Sequence, residues 1–106
     1  MREIKVSVHG HNLYMEIKDE FISVAAIYNS EEIILERLAL EIKEENKLVF
    51  RREGGEVQIW QGEDDDFLII VRQGEKKLGF DVANIVNGGG DRESWIFLNN
   101  LMNGEF

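Results

Sequence analysis

Short segments in which apolar and polar residues alternate strictly recur along this chain, and that period of two suits half-buried strands rather than helices. Ile4, Val6 and Val8 alternate with Lys5, Ser7 and His9. After the turn signal Gly10-His11-Asn12, residues Leu13, Met15 and Ile17 alternate with Tyr14, Glu16 and Lys18. The two segments read as a first hairpin. Phe21–Tyr28 follows the charged break Asp19-Glu20, and its β-branched and aromatic content suits a more buried strand. Further on, residues 48–52 and 56–61 flank Gly54-Gly55, a pair able to take the positive φ angles of a tight turn. Phe67–Gln73 comes next, and Gly74-Glu75-Lys76 turns the chain into Leu78, Phe80 and Val82.

Two stretches depart from this pattern. Asn29 and Glu32 have capping-box spacing, and Ile34, Leu35, Leu38, Ala39 and Ile42 lie on one helical face. A strand reading competes, because Leu38, Leu40 and Ile42 also alternate with Ala39, Glu41 and Lys43. The cap and the content of Glu, Leu, Lys and Arg favour the helix. The triple glycine at residues 88–90 reads as a loop, Asp91 as an N-cap, and Trp95, Leu98, Leu101 and Met102 as the buried stripe of a last helix ended by Gly104. The expected fold class is α+β: an antiparallel sheet in the order βββ-α-ββββ-α, with two helices packed on one face. At 106 residues, with no linker or repeat, the chain is expected to form a single domain spanning residues 1–106.

Charge and composition narrow the functions. Lys plus Arg is 12 against 21 for Asp plus Glu, a net charge of −9, which repels phosphate backbones and anionic lipid and so disfavours nucleic acid and membrane surfaces as partners. The longest apolar run, residues 67–71, is far short of the roughly 20 that a membrane helix needs. With no Cys there is neither a disulfide framework nor a thiolate site. Together with an N-terminus that lacks a signal-peptide core, these features lead to an expected cytoplasmic location.

The chemistry-bearing motifs are sparse. His9 and His11 would share one side of a continuous strand and could begin a zinc site with Glu16 or Asp19, but Gly10 is expected to break the strand there. The glycines at 88–90 match neither phosphate-binding glycine pattern, and Asp91 and Glu93 would repel an anion. None of Ser7, Ser23, Ser30 and Ser94 stands in a nucleophile elbow. Neither a catalytic constellation nor a cofactor or metal site is expected. Glu63, Asp64, Asp65 and Asp66 crowd four carboxylates into one connection without the alternation of a calcium loop. They read as a solvated turn guarding the next strand, or as an acidic knob for Lys and Arg of another protein. Trp60 joins that knob if Val57 and Ile59 face the core, since alternation then turns the indole outward.

The expectation is a non-catalytic acidic protein that binds and neutralises a basic protein, as an immunity protein, antitoxin or inhibitor does. Trp60, Glu63, Asp64, Asp65 and Asp66 would form the contact. A ligand-binding or enzymatic domain is the alternative, and would need His9, Tyr28, Asp81 or Asn84 to converge on a pocket. A subunit of an oligomer joined through sheet edges is another.

Overall fold

The computed structural model describes residues 2–8, 11–82 and 92–104, with residues 2–8, 11 and 12 described by their backbone alone. Eight strands run in chain order: β1 (Arg2–Val8), β2 (His11–Lys18), β3 (Phe21–Tyr28), β4 (Glu31–Glu44), β5 (Lys47–Arg52), β6 (Gly55–Gln61), β7 (Phe67–Gln73) and β8 (Lys76–Val82). One helix, α1 (Arg92–Met102), follows. Each strand pairs antiparallel with the next, so the sheet order is β1-β2-β3-β4-β5-β6-β7-β8. The sheet curls until β1 and β8 approach one another, although among the described residues no ladder joins them. The result is an open-sided half-barrel.

This corrects the expected two-helix architecture. The segment expected to be the first helix is the 14-residue strand β4, and the only helix among the described residues is α1. The reason lies in a bulge. Along β4 the buried residues are Ile33, Leu35 and Leu38, and the step of three falls where the register with β3 shifts between Ile22 and Val24. One inserted residue changes the phase of an alternating strand and leaves a spacing that imitates a helix. Asn29 is no helix cap: Asn29 and Ser30 take positive φ angles of 47° and 68° in a two-residue hairpin turn. Asp19 and Glu20 turn β2 into β3 in the same way, with φ of 54° and 68°.

The bulge also bends the sheet. Arg37, at φ 55°, donates its backbone N–H to Ser23 Oγ at 3.1 Å. A second register shift lies between Leu40 and Ile42, where β4 pairs with β5. The first half of β4 extends the β1–β3 sheet, the second half begins the β5–β8 sheet, and the bend folds one half over the other, as at the corners of orthogonally packed sheets. Beyond the reach of β5, the carbonyl of Ile34 accepts from Gln73 Nε2 (3.3 Å) and that of Glu36 from Arg52 (2.6 Å). Side chains thereby cap an edge that would otherwise offer itself to another strand.

The core fills the space between the halves. On one side the registered rows Leu13–Ala26–Ile33, Met15–Val24–Leu35 and Ile17–Ile22–Leu38 face inward. On the other, Leu48–Ile59–Ile69–Phe80 and Phe50–Val57–Val71–Leu78 do the same. α1 lies at the end that carries the β6–β7 connection: Trp95 Nε1 donates to the Asp65 carbonyl at 2.7 Å, and its ring meets Phe67 edge-on at 6.3 Å. Phe97, Leu98, Leu101 and Met102 complete the core, each burial stabilising by about 1.5–3 kcal/mol relative to exposure.

The glycine turn is displaced by one residue from its expected place. Glu53 and Gly54 form it, with Gly54 at φ 80°, while Gly55 already pairs with Arg52 as the first residue of β6. Gly55 is required for space, because a Cβ there would lie 2.5 Å from Leu35 Cδ2 across the two halves. Gly55→Ala is therefore expected to destabilise the fold by about 1–3 kcal/mol through overpacking. Urea unfolding checks this, and the penalty should shrink in a Leu35→Ala background, where the opposing methyls are gone.

Candidate functional site

The outer face of β5–β8 is built from three cross-strand rows that the alternation turns away from the core. The first is Lys47–Trp60–Leu68–Asp81, the second Val49–Gln58–Ile70–Gly79, and the third Arg51–Glu56–Arg72–Lys77. Trp60 and Leu68 stand directly opposite each other and are 38% and 39% exposed, the two large apolar side chains left open on this face. Beside them a Cβ on Gly79 would meet nothing within 4 Å, so bare backbone lies open next to Ile70.

Trp60 does not swing freely. Its Nε1 donates to Gln58 Oε1 at 2.9 Å, and Gln58 Nε2 donates to Glu56 Oε1 at 3.1 Å, a chain of side chains two residues apart along β6. Lys47 Nζ sits 4.4 Å from the ring centroid, close enough for a cation–π contact. The chain is anchored at Glu56, which is buried although it lies on the outer face. Arg51 covers one of its carboxylate oxygens at 3.2 Å and Arg72 the other at 3.2 Å. Arg51 also reaches Glu41 at 3.5 Å.

Burial by itself would raise the Glu56 carboxyl, but the hydrogen bonds from Gln58, Arg72 and Arg51 outweigh it and hold the group below its ordinary value. A lowered folded-state value stabilises the fold above the unfolded-state pKa, roughly 4.3, and that contribution is lost as pH falls through the folded value.

The acidic connection sits at the same end of β6 as Trp60. Gly62 N donates to the Asp66 carbonyl (2.8 Å), Asp65 N to the Gly62 carbonyl (3.1 Å), and Gln61 Nε2 to Asp65 Oδ1 (3.2 Å). Asp65 adopts φ 60°. Glu63, Asp64 and Asp65 are exposed and Asp66 is half-buried. Gln61 N donates to the Asn46 carbonyl at 3.0 Å, tying this loop to the β4–β5 turn that carries the exposed Glu44 and Glu45. Asp19 and Glu20 turn the chain at this end of the sheet too, and Asp81 stands opposite Leu68. The Arg51–Glu56–Arg72–Lys77 row marks the other side of the apolar patch.

The expected contact residues thus share one region, and Leu68, Gly79 and Lys47 join them without having been singled out in the sequence. The signal was present in the alternation: once Ile69 and Val71 face inward, Leu68 must face out. Of the residues proposed for a ligand pocket, the two that are described lie apart. Tyr28 is partly buried at the end of β3, Asp81 is exposed at the opposite end of the sheet, and His9 and Asn84 lie outside the described residues. The His9–His11 pair cannot be placed either, since His9 lies outside the described residues and His11 is described by its backbone alone. Among the described residues no group of three or more His, Cys, Asp or Glu is placed to hold a metal. None of the helices described is long and apolar enough to cross a membrane. The glycines at 88–90 and the N-cap Asp91 fall outside the described residues.

Comparison with family models, with curated proteins and with solved structures finds no match to this chain.

Replacing the buried carboxylate tests the anchor of this face. Glu56→Gln should cost about 1–3 kcal/mol at pH 7. Urea titrations at several pH values should show the gap to the wild type closing below about pH 4, where the wild type loses its charged hydrogen bonds.

Proposed function

We propose that this chain is a non-catalytic binding protein of the cytoplasm that docks a basic protein on the outer face of β5–β8 and neutralises it. The observation that carries the reading is Trp60, held in place through Gln58 and Glu56, exposed beside Leu68 and next to the acidic loop. A tryptophan buries a large area with few rotors to freeze, and its N–H is already satisfied, so covering it strands no polar group. The open space over Gly79 leaves room for an incoming side chain. Glu63, Asp64, Asp65 and Asp66, with Glu44, Glu45 and Asp81 nearby, supply a field that attracts Lys and Arg and speeds association. The net charge of −9 acts in the same direction at long range.

The two parts of the face have separable effects. Capture on the immobilised protein at low salt, elution at high salt and mass spectrometry identify the partner, whose binding is then measured with purified components. Trp60→Ala should weaken affinity by roughly 30-fold or more, mostly through faster dissociation, as central aromatic anchors do. Glu63→Lys with Asp64→Lys should slow association and flatten its dependence on salt. A partner whose rates ignore both changes overturns the proposal.

A further inference from the structure

We infer that the outer face of β5–β8 also closes on a second copy of this chain, in a twofold dimer that covers Trp60 when no basic partner is bound. A twofold interface brings one patch against its own image, so the patch must be complementary to itself. The charges on this face are ordered along the strands in a way that meets this condition. The acidic β4–β5 and β6–β7 connections lie at one end, and the row with Trp60 and Leu68 comes next. The Gln58–Ile70 row beside the open Gly79 follows, and the Arg51–Glu56–Arg72–Lys77 row closes the other side.

The spacings fit the same operation. Outward rows lie two residues apart, about 7 Å along a strand, so the arginine row stands about 13 Å from the Trp60 row and the acidic loop begins about 7 Å beyond that row on its other side. A twofold axis in the plane of the face, running across the strands between the Trp60 and Ile70 rows, therefore sets the acidic end of each copy over the arginine row of the other. It also lays Leu68 over Ile70 of the second copy, two apolar side chains meeting as they do between stacked sheets.

The arginine row has charge to offer. It holds three cations against one carboxylate, with Glu41 reaching Arg51 from its margin. The Arg51 and Arg72 side chains are still 42% and 41% exposed while paired with Glu56, and Lys77 is exposed. This is a local concentration of positive charge on a chain whose net charge is −9. Four strands and three rows span roughly 20 by 20 Å, short of the ~800 Å² per partner of a standard interface. Repulsion between two acidic copies also opposes association, so the dimer is weak and reversible, and a basic partner competes with it for the face.

The dimer shares its face with the docking proposed above but needs no other protein, so either can fail while the other stands. Sedimentation velocity of the purified chain, from about 1 to about 500 μM, should show a monomer–dimer equilibrium with a Kd on the order of 10–100 μM. Trp60→Ala should weaken it by roughly tenfold or more. Glu63→Lys with Asp64→Lys, and separately Lys76→Glu with Lys77→Glu, should each weaken the homodimer by roughly threefold or more, because like charges then face each other at both contacts. An equal mixture of these two charge variants should recover the dimer, since the reversed loop of one meets the reversed row of the other and the remaining contact is native. A wild type that stays monomeric over that range, a dimer indifferent to Trp60→Ala, or a mixture no better associated than the separate variants overturns the inference.

Discussion

The bend in β4 is the constraint on which the rest of the molecule depends. A flat eight-stranded meander would leave one apolar face with nothing to cover it, since a single helix cannot shield eight strands. The extra residue near Arg37 and the second irregularity near Leu40 let one long strand belong to both halves, so that the inward rows of each half become the cover of the other. The cost is a non-glycine residue in left-handed conformation, and it is offset where Ser23 accepts the bulge N–H. Leu35 then reaches across to the bare backbone of Gly55, which shows how closely the halves approach. α1 fills what the curl leaves open, and Trp95 fastens it to the acidic loop through the Asp65 carbonyl.

That bend also separates the two outer faces chemically. On β5–β8 the carboxylate Glu56 is sandwiched between Arg51 and Arg72, and the order of that row passes along β6 to Trp60. An exposed ion pair contributes roughly 0–1 kcal/mol, but a buried carboxylate that lost its partners would cost several times more. It consumes two of the chain's few arginines internally.

Most strands were legible, and the reasons they were are specific. Phe21–Tyr28 and Phe67–Gln73 alternate and end at turn residues, and both occupy the expected positions. β4 was misread because a bulge shifts the phase of its apolar residues, and spacing alone cannot distinguish a step of three inside a bulged strand from a step of three along a helix. The glycine pair at 54–55 signalled a turn, but which glycine turns depends on Leu35, nineteen or more residues away in the chain and adjacent in space. For Trp60 the alternation offered two faces, and the choice followed from Val57 and Ile59 having partners on both sides inside the core.

By itself, then, the sequence determined that the chain would be built of antiparallel strands, that its last segment would be helical, and that its surface would be acidic, since each of these follows from local pattern or from a sum over residues. Only the tertiary structure decided that eight strands close over one another instead of lying under two helices. It alone put Trp60 beside Leu68 and buried Glu56 between two arginines. These depend on register and on the bend, and both are set by which apolar rows can reach each other once the sheet folds over.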